Sequence, residues 1–101
     1  MELENLMDKK TIQIVDFLLD NPVMDYSKKD IAELSEVSRS TVHRKWDILQ
    51  KFGLVEKTRK YQNTQLYSLN QDSEIVNILG RLIREMEEKV ETDTIEHGIK
   101  A

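Results

Sequence analysis

The chain has 101 residues, of which 34% are charged and 39% apolar, with a formal net charge of −4. That length builds one small core, and the apolar fraction is too high for a fully disordered chain. No Cys is present, which excludes disulfides and thiolate metal sites, and no stretch approaches the ~20 apolar residues a membrane helix needs.

The first predicted helix runs from Asp8 or Lys9 to Asp20. Asp8 caps it, and Ile12, Ile14, Val15, Leu18 and Leu19 recur at helical spacing. Asn21-Pro22 stops it, because the residue before Pro is pushed out of the α region. Val23 to Tyr26 reads as a short extended segment, a brief edge strand at most. Ser27-Lys28-Lys29-Asp30 resembles a capping box with Asp in place of the usual Glu or Gln. It opens a second helix whose apolar side is Ile31, Ala32 and Leu34, ending near Ser35.

Glu36-Val37 makes a tight turn, and Ser38 caps a third helix. Val42, Trp46, Leu49 and Phe52 form its inward stripe, with Arg39, Ser40, His43, Arg44, Asp47 and Lys51 on the other faces. Gly53 ends it in the left-handed conformation that Gly adopts at little cost. Leu54–Arg59 and Gln65–Leu69 read as two strands of a hairpin, with Lys60-Tyr61-Gln62-Asn63 as a polar, basic tip. Asn70 is expected to cap a fourth helix from about Gln71 to between Glu91 and His97, with Gly98 near its end. The fold class is therefore mainly α with a small β-hairpin. Two helices joined by a tight turn make a helix-turn-helix unit, and the hairpin directly after it is a wing.

The charge is unevenly placed. Residues 27–69 hold nine basic and five acidic side chains, a local excess of +4, while 1–26 and 70–101 are each net −4. A local positive surface attracts phosphate whatever the total charge. Ser38-Arg39-Ser40-Thr41-Val42-His43-Arg44, then Leu49 and Phe52-Gly53-Leu54-Val55, resembles the recognition helix and first wing strand of winged-helix regulators. Leu66-Tyr67-Ser68-Leu69-Asn70 resembles their second wing strand running into a dimerisation helix. Over residues 8 to 90 the pattern is similar to the ArsR/MarR-type repressors of bacteria and archaea. The resemblance implies a DNA-binding domain over 1–70 and a dimerisation helix with its tail over 71–101. Trp46 stands where that family usually has Leu, and without Cys its thiolate metal sensing does not carry over.

An α-helix fits the major groove, and its first two turns reach base edges. Arg39 and Arg44 are the candidate guanine readers, since a guanidinium fork matches O6 and N7 together. Ser38, Ser40, Thr41 and His43 can meet phosphate or base edges. Arg59, Lys60, Tyr61 and Gln62 form a wing tip for phosphate or the minor groove, and Lys28 can touch backbone at the start of the second helix. Each feature also has a plainer use. A Ser-Arg-Ser-Thr start is a good cap, Lys on a hairpin blocks edge-to-edge pairing, Lys45 and Lys51 can simply be solvated, and Tyr67 packs under the wing.

On the last helix Val76, Leu79, Ile83, Met86 and Val90 are spaced 3, 4, 3, 4, a heptad seam that Ile75 and Leu82 widen. A lone domain has too little surface to cover such a stripe, so a homodimer reading a pseudo-palindromic duplex is expected. His43 and His97 lack metal-ligand spacing and a paired nucleophile, so no enzyme, metal or cofactor is expected. His97 near a helix end suits the dipole there. The start Met1-Glu2-Leu3-Glu4 lacks the basic region of a secretory signal, so the expected location is cytoplasmic, with no membrane partner. The acidic total also suits a winged-helix assembly module of transcription or partition machinery. An architectural chromatin protein is a third reading, though such proteins are more basic.

Overall fold

The computed structural model describes residues 8–100, with side chains through residue 90. The acidic start and the His97 side chain lie outside the described residues. The order is α1 (Lys9–Asp20), α2 (Lys28–Ser35), α3 (Arg39–Lys51), β1 (Val55–Tyr61), β2 (Thr64–Leu69) and α4 (Glu74–Lys100). This is the mainly helical chain with one antiparallel hairpin that the sequence patterning predicts.

Each helix begins on a side chain suited to its free N–H groups. Asp8 Oδ1 accepts from Thr11 N at 2.8 Å. Ser27 Oγ accepts from Asp30 N at 3.0 Å while Asp30 Oδ2 accepts from Ser27 N at 3.3 Å, completing the capping box. Ser38 Oγ accepts from Thr41 N at 3.2 Å. The fourth start differs from the expectation. Ser73, not Asn70, serves α4, its Oγ accepting from Val76 N at 3.3 Å. Asn70 instead closes the preceding turn, accepting from Asp72 N at 3.2 Å and donating through Nδ2 to Gly53 O at 3.1 Å. At its other end α4 continues past His97 to Lys100.

The core gathers the apolar face of every element: Ile14, Val15 and Leu18 of α1, Ile31 and Ala32 of α2, Val42, Trp46 and Leu49 of α3, Leu54, Val55, Tyr67 and Leu69 of the hairpin, and Val76 of α4. The extended segment before α2 narrows to one bridge, in which Tyr26 and Tyr67 exchange backbone hydrogen bonds of 2.8 Å. Gly53 takes φ 65° after α3, as a left-handed helix stop requires. Glu36 (φ 61°) takes the same conformation between α2 and α3 despite its side chain. The hairpin turns on Gln62 and Asn63, at φ 49° and 67°, the paired positive values of a tight two-residue turn. Both strands are longer than expected, so Lys60 and Tyr61 lie within β1.

Candidate nucleic-acid interface

Helix α3 is divided lengthwise. Val42, Trp46 and Leu49 are buried, while Arg39, Ser40, His43, Arg44 and Asp47 are exposed. Ser40, His43, Arg44 and Asp47 follow i, i+3, i+4, i+7 and so share one outward face. Ser38 and Thr41 stand at its N-terminal edge, where the Ser38 hydroxyl lies 2.9 Å from Thr41 Oγ1 and 3.2 Å from Ser40 Oγ. Arg39 is the member of this set with an ion pair among the described residues, at 3.8 Å from Glu33 of α2. That pair is open to water on both sides and restrains Arg39 little.

Lys45 does not lie in solvent. Its ammonium is buried and donates to Asp8 Oδ2, tying the start of α1 to the middle of α3. Burial works to raise the Asp8 carboxyl, but the hydrogen bonds from Lys45 and Thr11 outweigh it and hold the group below its usual 3.8. Lys28 is also engaged. Its ammonium sits 5.0 Å above the Trp46 ring and 5.8 Å from the Tyr67 ring, two rings packed edge to face at 4.7 Å. Cation–π attraction therefore places Lys28 over the core aromatics, and its use as a backbone contact would require leaving them. Tyr67 is 7% exposed and packs under the wing, the plainer of the uses its position allows.

The wing is polar and exposed along β1 beyond Val55. Lys57, Lys60, Tyr61 and Gln62 are open to solvent. Arg59 is exposed but engaged, with its guanidinium on the Asp25 carboxylate at 3.0 Å. The Arg59 hydrogen bond, and after it that of Thr58, lowers the Asp25 carboxyl below its usual 3.8. The sequence reading missed Asp25 and the role of Lys45. Their partners lie 34 and 37 residues away, and no local pattern reports such pairings.

Helix α4 presents two strips. Val76 is 3% exposed and belongs to the domain's own core, so it drops out of the proposed seam. Leu79 and Ile83 are half-buried, whereas Leu82, Met86 and Val90 are exposed, together with Ile75 and Ile78, the last absent from the sequence reading. Gly80 faces α1 at Leu19, where an added Cβ would make an ordinary 3.4 Å contact with Leu19 Cδ2. Beyond it, an apolar groove of about 250 Å³ opens between the two helices, lined by Ile12, Val15, Leu54, Leu82, Ile83 and Met86 among others. No helix is long and apolar enough to cross a membrane, and no group of three or more His, Asp or Glu is placed to hold a metal, among the described residues.

A helix-turn-helix followed at once by a hairpin, with the second helix's polar face turned outward, defines a winged helix-turn-helix protein. The sequence matches no family model and no curated protein. Solved structures share the fold. ZitR of Lactococcus lactis, a zinc-responsive MarR family member, superposes with a TM-score of 0.71 at 21% identity over 94% of this chain. The chain spans only 63% of that protein's length. A homodimeric winged helix-turn-helix DNA-binding domain from Mycobacterium bovis, described as a possible ArsR-family regulator, gives 0.67 at 20% identity, covering 88% of this chain and 78% of its own. HlyU of Vibrio cholerae gives 0.57 at 28% identity, covering 79% and 85%. The fold is the one shared by MarR- and ArsR-type winged-helix transcriptional regulators.

Proposed function

We propose that the chain is a sequence-specific double-stranded DNA-binding transcriptional regulator acting as a homodimer. Helix α3 enters the major groove and the wing lies on phosphate or in the minor groove. The observation that carries this reading is the divided α3. Arg44, Ser40 and His43 face outward from a helix whose other side is locked into the core by Val42, Trp46 and Leu49. Rigid elements place base-reading side chains more accurately than loops. Arg44→Ala is expected to weaken binding by about 1–3 kcal/mol and to relax preference at one base, measured by competition with single-base variants of the site. Equal weakening on every duplex would make Arg44 a phosphate contact.

The dimer rests on the exposed strip Ile75, Ile78, Leu82, Met86 and Val90, with Leu79 and Ile83 beside it. Such a stripe is costly to leave in water, and the M. bovis neighbour is itself described as homodimeric. The unit would then divide near residue 70 into a reader and a pairing helix, and two copies would read half-sites about one helical turn apart. Met86→Glu is expected to shift the mass measured by light scattering from dimer to monomer, because it places an unpaired charge in the seam. An unchanged mass would remove Met86 from it.

The deciding experiment is selection from a labelled random duplex pool at two salt concentrations. A recovered pseudo-palindrome with steep salt dependence is the expected result. No binding at low salt would favour the protein-assembly reading, to which the net charge of −4 and the exposed Asp47 on the reading face already lean.

A further inference from the structure

Asp25 lies in the loop before α2, where that loop meets the hairpin. Its carboxylate is 19% exposed and collects three donors from β1. Thr58 Oγ1 donates to Oδ2 at 2.8 Å, Arg59 Nε to Oδ2 at 3.0 Å, and Arg59 Nη2 to Oδ1 at 3.4 Å. Thr58 and Arg59 are also where the hairpin register breaks. Lys57 pairs with Tyr67 and Lys60 with Gln65, so two residues of β1 face Leu66 alone. A bulge of this kind bends its strand and increases the local twist. Asp25 therefore grips the wing where the direction of its tip is set.

The neighbouring residues extend that grip. Tyr26 is bonded to Tyr67 at the wing base, and Ser27 caps the helix-turn-helix. On the bulge's other side, Gln65 Nε2 donates to Arg59 O at 3.2 Å and Leu66 O at 3.0 Å. Residues 25–27 thus connect the bulge, the wing base and the start of α2 in one short run.

We propose that Asp25 is a positioning residue for DNA recognition, a tether that fixes the angle of the wing to α3. Arg59 is its strut, and the phosphate charge of the wing falls to Lys57 and Lys60, both exposed. This rests on the DNA-binding reading above, in which wing and α3 must meet one duplex together. Direct phosphate contact by Arg59 would make the opposite prediction, because Asp25 would then compete with DNA for the guanidinium.

The test is a double-mutant cycle on the full chain with Asp25→Ala, Arg59→Ala and both, using the duplex recovered from the pool. Tethering predicts that each single change weakens binding about tenfold, that the pair is no worse than either, and that the slope of log Kd against log salt is unchanged. Lys60→Ala, the phosphate-contact control, lowers that slope by about one. Amide exchange without DNA is read alongside, and hairpin amides from Thr58 to Leu66 are expected to exchange faster in Asp25→Ala than in the parent. The proposal is overturned if Arg59→Ala lowers the salt slope while Asp25→Ala binds as well as the parent, or if the two losses add. Should the parent bind no duplex at all, the DNA reading fails. The tether is then judged on exchange alone, faster hairpin exchange supporting it and unchanged exchange overturning it.

Discussion

Replacing Trp46 with alanine is expected to lower the unfolding free energy by about 3–5 kcal/mol, while phenylalanine at the same position costs ~1.5 kcal/mol or less. Trp46 is 2% exposed, meets Tyr67 edge to face, and carries the Lys28 ammonium over its ring. Alanine removes all of that contact and leaves a void under the wing. Phenylalanine keeps an aromatic face for Lys28 and Tyr67 but loses volume. It also removes the indole Nε1, which is buried with no hydrogen-bond partner among the described residues. An unsatisfied buried donor costs about 1–3 kcal/mol, so its removal offsets much of the lost packing. Chemical denaturation of both variants checks this. Equal losses would show that the indole N–H is satisfied in solution.

Asp8→Ala is expected to cost about 2–4 kcal/mol, the second large effect, because two functions end together. The α1 cap is lost, and the Lys45 ammonium stays buried with its carboxylate gone. Lys45→Met should cost no more than about 1 kcal/mol, since a hydrophobe replaces the buried cation and the half-exposed Asp8 still caps α1. The pair also sets a pH response. The folded Asp8 carboxyl titrates below its unfolded value of 3.8. Its contribution is complete above that value and drains away as the pH falls through the folded one. Stability curves of the parent should therefore fall more steeply in acid than those of Asp8→Ala. Parallel acid limbs would show that the pair carries no charge coupling.

These two clusters also show where sequence reasoning succeeds and where it stops. The inward stripe Val42, Trp46 and Leu49 was legible because helical periodicity follows from geometry within one element. So were the caps at Asp8, Ser27 and Ser38 and the stop at Gly53, which depend on residues three or four apart. Asn70 misled because Asn and Ser are equally good caps. The choice of Ser73 was made by the Asn70 amide reaching back to Gly53, 17 residues away. Val76 misled for a related reason. A heptad spacing identifies an apolar face but not what covers it, and its own core claims the first position. Lys45, Lys28 and Arg59 all read as solvated or DNA-facing charges. Each is engaged by a residue from another element: Asp8, the Trp46 and Tyr67 rings, and Asp25.

The lengthwise division of α3 bears on how such a protein can change over generations. Ser40, His43, Arg44 and Asp47 are exposed, while the residues that hold the helix in place lie on its other side. Mutations at those four positions change the exposed face of α3 and leave its buried stripe of Val42, Trp46 and Leu49 intact. If α3 reads DNA as proposed, the chain could acquire a new target without passing through unstable intermediates, and a library randomised there would consist largely of folded members differing in what they recognise.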